Sequence, residues 1–296
     1  MFDARVSPPV ALAFSILALS TSAILVRWSA APSVVVAFYR VLFTLAILAP
    51  VALVRHRAEF RALSARDGAV AIVTGVALAI HFAAWFESLN WTSVAASVTL
   101  VQTQPVFVAI GAALLLDERV TLRTAAGIAL AVAGAVVMSV SDLLSGSAFA
   151  GTALYGNALA VVGAVMAACY VLAGRSLRQR VALLPYVTVV YGACAAVLLG
   201  VALTGGEALV GYPPREWLLF LVMAIGPGVF GHTVVNWALA HLESSVVSVS
   251  LLGEPVGATL LALALLAEVP GPLTVAGGVI VLVGIVVTAR ARRLGT

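Results

Sequence analysis

Long apolar runs separated by short polar gaps make up most of the chain, and most runs are about 18 to 22 residues long, enough for a helix to cross a hydrocarbon core of roughly 30 Å. The pattern predicts ten such helices, near residues 10–28, 34–54, 68–87, 92–115, 124–141, 154–173, 183–204, 216–238, 245–266 and 273–290. The alternation expected of an outer-membrane barrel is absent, and in lipid only helices or closed barrels satisfy their own backbone polar groups. The expected fold class is therefore an all-α integral membrane protein with ten transmembrane helices. The longest gaps, 55–67, 142–153 and 205–215, are too short to hold a core of their own. The first run is too long for a cleaved secretory signal and a second follows at once, so it is expected to be retained.

The pattern also repeats. A shift of about 150 residues brings Pro105 onto Pro255, Glu118 onto Glu268, Thr124 onto Thr274, Gly127 onto Gly277 and Gly134 onto Gly284 without a gap. With one inserted residue His81 meets His232 and Ser97 meets Ser248. Five spans then fall in each half, residues 1–146 and 147–296. Because five is odd, the second half enters the membrane from the opposite side. Two inverted five-helix repeats are expected, an arrangement found in secondary transporters, where similar halves exchange roles around a central site. Small residues seven apart, Gly127 with Gly134 and Gly277 with Gly284, are expected to hold each half together or to form a dimer face.

Composition excludes a soluble domain: of 296 residues 63% are hydrophobic and 9% charged, with mean hydropathy +1.16. All sixteen basic residues are arginine, and thirteen fall in gaps on one side of the membrane if both termini are cytoplasmic. The net charge of +4 is thus a topology signal and points to no nucleic-acid partner. Cys169 and Cys194 lie inside apolar runs, and no disulfide is expected. No HExxH, no GxSxG and no close acidic pair suited to acid and base work is present, so an enzyme is not expected.

Candidate chemistry gathers where the runs are interrupted. Pro105 and Pro255 each remove an N–H in mid-span, and matched interruptions point to a transporter's central site; the other reading is a packing kink inherited with the duplication. Thr99, Gln102 and Gln104 precede Pro105, while Ser248, Ser250 and Glu254 precede Pro255. His81 and Trp85 share a helix face with Ser88 one turn on, and His232 and Asn236 repeat the spacing. These groups either line a cavity or bond one another between helices. Glu254 is suited to a substrate ammonium or a coupling proton, or to a pair with Arg40. Arg40, the one base well inside a span, anchors a carboxylate, pairs with Glu254 or Glu87, or snorkels; a structural or gating pair is favoured. Tyr39, Trp85, Tyr170 and Trp237 offer stacking surfaces, although core packing is the commoner fate, and Trp85 also suits an interfacial belt. AIGPGVFGH, with Gly228, reads as a flexible turn and hinge in the eighth span.

The duplicated segments QPVFVAIGAALLLDERVTLRTAAGIALAVAG and EPVGATLLALALLAEVPGPLTVAGG, with PSVVVAFYRVLFT in the second span, resemble the drug/metabolite transporter superfamily in its ten-helix EamA-type branch, over the whole chain. Within it the sequence looks most like the aromatic amino-acid exporters. The resemblance implies export of small organic metabolites, foremost aromatic amino acids, across a bacterial inner membrane by alternating access, with a multidrug carrier as the alternative. It implies no cofactor and no metal, an amino-acid-like substrate in a lipid bilayer, and a monomer or homodimer. The comparable VVYGAC of the second half has Tyr191 and Gly192 where the first has Arg40, so any role of Arg40 is not duplicated.

Overall fold

A computed structural model of the chain describes residues 7–115, 121–144, 151–178, 180–238 and 250–293. Among these every regular element is helical. Six helices are long and apolar enough to cross a membrane: Pro8–Trp28, Ser33–Arg55, Ala65–Trp91, Ala153–Arg178, Leu183–Thr204 and Pro214–Ala238. Four shorter apolar stretches, Val94–Val108, Leu122–Met138, Gly253–Leu266 and Pro272–Thr288, fall where the fourth, fifth, ninth and tenth spans are expected. Phe14, Leu17, Val73, Leu154, Leu260 and Val279 are exposed on the outside of the bundle, as a lipid-facing surface requires.

The first span is α1 (Pro8–Ser20) and α2 (Ser22–Trp28), meeting at Thr21; α3 (Ser33–Arg55) starts behind Pro32, and α4 (Arg57–Ala62) is a short helix in the first arginine-rich gap. Ser64 caps α5 (Ala65–Trp91), its Oγ accepting the Asp67 N–H at 3.1 Å, and Ser93 caps α6 (Val94–Val101) through the Ala96 N–H. There follow α7 (Gln104–Leu115), α8 (Leu122–Leu144), α9 (Ala153–Arg178), α10 (Leu183–Thr204) and α11 (Pro214–Met223). A π-helix, Ala224–Thr233, leads into α12 (Val234–Ala238), and α13 (Gly253–Leu266) and α14 (Pro272–Arg293) complete the chain.

Two local expectations are corrected. The fourth span is not a single kinked helix: it stops at Val101, turns through Gln102 and Thr103, and restarts at Gln104, so Pro105 sits in the first turn of a new helix, where its missing N–H costs little. Pro255 likewise follows a turn at Leu251 and Leu252 and lies in the first turn of α13. AIGPGVFGH is not a turn but wound π-helix: Pro227 has no N–H to donate, and the wider register is accommodated by Gly226, Gly228 and Gly231. Glu118 and Ser248, singled out by the repeat, lie outside the described residues.

Packing joins the halves element by element. Spans α8 and α14 lie along each other, as do α5 and α9, while α10 packs on α3 and α5, and α6 on α9 and α13. Exchanging the halves turns the contact of α1 with the π-helix into that of α9 with α5, and the contact of α3 with the π-helix into that of α10 with α5. The pairs α3·α10, α6·α13 and α8·α14 map onto themselves. The glycine stripe lies between α8 and α14, Gly127 against Gly284 and Thr288, Gly134 against Gly277 and Val281. It therefore joins one half to the other, neither holding each half together nor leaving a face for a dimer.

Candidate functional site

At the seam of the halves lies a cavity lined by Arg40, Val41 and Thr44 of α3, Leu78 and Phe82 of α5, Tyr170 of α9, Tyr191 of α10, and Gly228 and His232 of the π-helix. It is narrow, with free space for little beyond a water-sized body. Arg40 is 1% exposed, and among the described residues its Nη1 and Nη2 have no hydrogen-bond partner. Its guanidinium carbon lies 4.4 Å from the Phe82 ring centre and 5.4 Å from that of Phe86, so aromatic faces hold the cation in place of an anion. The pair with Glu254 or Glu87 expected from sequence is not formed. Glu87 accepts from Asn90 at 3.3 Å and from the Trp91 indole at 2.6 Å, near the end of α5.

Around the cation the walls are aromatic and weakly polar. The His232 ring meets Phe82 edge-on, with centres 5.7 Å apart at 89°. Asn236 Nδ2 donates to the Tyr170 hydroxyl at 3.2 Å and to the His232 carbonyl at 2.9 Å, fixing one wall to the π-helix. Thr44 Oγ1 donates to the Arg40 carbonyl at 2.7 Å and lies 3.2 Å from that of Ala224. Gly228 faces the Thr44 hydroxyl so closely that no side chain fits there.

Several expected site residues lie elsewhere. His81 is one layer behind Phe82, giving its Nδ1 hydrogen to the Gly163 carbonyl at 2.9 Å and stacking on Trp85 with ring centres 5.8 Å apart. Trp85 is buried, not part of an interfacial belt, and among the described residues its indole N–H has no partner. Ser88 hydrogen-bonds Ser97 at 2.6 Å, which is glue between α5 and α6. Thr99 faces Gly278 of α14, Ser250 is half-buried just before the turn into α13, and Trp237 packs beside Leu12 and Ala238. Tyr39 belongs to a cluster with Phe43, Trp217 and Phe220 and donates to the Leu209 carbonyl at 2.5 Å. Cys169 and Cys194 are free thiols.

Glu254 forms a second polar centre where the interrupted spans meet. Its Oε2 accepts from Gln102 Nε2 at 2.6 Å, joining the turn before Pro105 to the residue before Pro255, and Ser20 reaches its carbonyl at 3.4 Å. The carboxylate is within electrostatic reach of Arg40. The sequence reading missed Phe82, Thr44 and Leu78 as cavity residues, since nothing in an apolar helix marks which of its faces meets a partner.

One end of the bundle is latched across the halves. Arg27 pairs with Glu268 at 2.8 Å, and the other oxygen of Glu268 accepts the Val94 N–H at 2.6 Å. Beside it Glu216, 2% exposed, accepts from Ser29 Oγ at 2.5 Å and the Ala30 N–H at 3.1 Å. At another point Arg180 pairs with Asp67 at 2.7 Å.

The model of the EamA-like transporter family matches twice, over residues 9–140 and 154–290. An "Uncharacterized transporter" of Archaeoglobus fulgidus is 32% identical over 204 residues, 65% of this chain and 67% of that protein. The pseudopaline exporter CntI of Pseudomonas aeruginosa is 28% identical over 232 residues, 78% of each. A "Probable terminal-alkyne amino-acid exporter" of Streptantibioticus cattleyicolor is 29% identical over 213 residues, 70% of this chain and 69% of that one. A solved crystal structure superposes with a TM-score of 0.67 over 99% of this chain and 100% of that one at 23% identity, a likeness of fold.

Proposed function

This chain belongs to the EamA-like transporter family, and from that premise we propose that it exports amino acids, foremost aromatic ones, across a bacterial inner membrane by alternating access. In this reading ten helices cross the bilayer as two inverted halves, residues 1–146 and 147–296, with both termini cytoplasmic. The paired exchange of contacts between the halves supports it, and so do the exporter names of two relatives. The observation that carries the proposal is the cavity at the seam, lined from both halves by aromatic rings around one unpaired cation. A cavity built from both halves changes its exposure when they rock, which is what alternating access requires. Its narrowness corresponds to a contracted state that must widen to admit an amino acid.

The test is uptake into liposomes holding the purified protein, with labelled aromatic, aliphatic and charged amino acids and a cationic dye, with and without a pH gradient. Movement of aromatic amino acids supports the proposal. Movement of the dye alone replaces it with a multidrug carrier, and chemical conversion of the solute removes the transport reading. Dependence on the gradient would turn attention to the buried Glu254 as the coupling group, and its loss in Glu254→Gln would assign the proton there.

A further inference from the structure

We propose that Arg40 is the anchor for a carboxylate of the transported molecule, so that the cavity selects anions or zwitterions with a free carboxylate and rejects amides and simple cations. The inference rests on the export reading for the purpose of the cavity, but its chemistry stands on the geometry of one side chain. A guanidinium remains charged in any protein environment, and burying it unpaired is costly. Here it is 1% exposed, lines a cavity, and leaves both terminal nitrogens without a partner. The guanidinium carbon lies over the Phe82 and Phe86 rings, which hold the cation while Nη1 and Nη2 keep their hydrogens unused.

An edge with two parallel N–H groups fits a carboxylate bidentately. Among the described residues, neither carboxylate expected beside it fills the role: Glu254 is held by Gln102, and Glu87 by Asn90 and Trp91. The matching anion is then the carboxylate of the transported molecule. Tyr191, at the comparable place in the second half, lines the same cavity without a charge, so the site has one anchor and suits one carboxylate. Tyr170, His232 and Phe82 then face the remainder of the molecule with flat surfaces that favour an aromatic side chain.

Equilibrium binding to the detergent-solubilised full chain, by titration calorimetry with phenylalanine, phenylalanine amide and phenethylamine, tests this without any variant. The acid is expected to bind at least about tenfold tighter than the amide or the amine, the range for a hydrogen-bonded charge pair. In Arg40→Met the preference should shrink to within about twofold, and Arg40→Lys, which keeps charge but loses the fork, should fall between. Equal binding of acid and amide by the wild type, no binding of any of the three, or a preference that survives Arg40→Met overturns the inference. Should Arg40→Met fail to fold, the wild-type series decides alone. An intact acid preference with no movement in liposomes would remove the export reading and leave the anchor standing.

Discussion

Gly134 and Gly277 meet backbone to backbone: a methyl group on Gly134 would lie 2.7 Å from the Gly277 carbonyl oxygen, and one on Gly277 would lie 2.8 Å from that of Gly134. The same exchange holds for Gly127 and Gly284, about two turns earlier on α8 and two later on α14, so the two helices run antiparallel. Repeat partners thus contact each other's partners, as a two-fold axis between the helices requires. Any added atom must push backbone, which cannot yield as a flexible side chain does. Gly134→Leu or Gly277→Leu should destabilise the protein by about 1–3 kcal/mol or more through overpacking. Gly200→Ala, in α10 with open space around it, should instead raise stability by about 0.4–1 kcal/mol through helix propensity. Thermal unfolding in detergent distinguishes the two, and equal effects would contradict the packing.

Removal of the Arg27–Glu268 latch should favour opening at that end. Glu268→Ala deletes both the ion pair and the acceptor of the Val94 N–H. The arginine and glutamate side chains remain 19% and 17% exposed, so the expected loss is at the low end, about 1–2 kcal/mol, or roughly tenfold in an opening equilibrium. In a Cys169→Ser background, maleimide labelling of the buried Cys194 should rise correspondingly. Unchanged labelling would mean that the pair is not a closure.

Glu216 should matter more to the 29–31 segment than its neighbours do. It is buried and receives both the Ser29 hydroxyl and the Ala30 N–H. Glu216→Ala should cost about 1–3 kcal/mol, since it leaves two donors unsatisfied, whereas Ser29→Ala should cost about 1 kcal/mol. The double variant should be less damaged than the sum of the singles. Additive losses in denaturation would show that the serine and the glutamate act separately.

The close approach of Thr44 to Gly228 predicts a compensating pair. Gly228→Ala drives a methyl group into the threonine hydroxyl and should lower stability by about 1–3 kcal/mol, with slower transport. Thr44→Ala in the same chain opens the needed space and should recover part of both, a coupling of about 0.5–3 kcal/mol. Melting and liposome transport of the four proteins read this directly. Independent effects would place the strain elsewhere.

Some of the site was legible before any coordinates. Glu254 stood out because a carboxylate in an apolar run is expensive, and Arg40 for the same reason. What was misjudged was partnership. From sequence Arg40 suits a substrate carboxylate, an ion pair or snorkelling, with a pair favoured, because the aromatic rings that hold it are apolar letters indistinguishable from core. His81 and Trp85 were rightly placed on one helix face, yet that face packs against Gly163 behind the cavity wall. Helical spacing tells which residues share a face, and it carries no information on what the face meets.

The sequence by itself determined that this chain is apolar enough to live in a membrane, that its spans are helical, and that its second half repeats the first. Those properties are sums along the chain: hydropathy over about 20 residues, periodicity, and register between copies. Only the tertiary structure decided that the glycine stripes join the halves, that the prolines open new helices after a break, that Pro227 sits in a π-helix, and that Arg40 faces a cavity with Nη1 and Nη2 unpaired among the described residues. Each of these depends on which surfaces meet at contact distance, where shape and hydrogen-bond geometry choose among arrangements of similar hydrophobic burial.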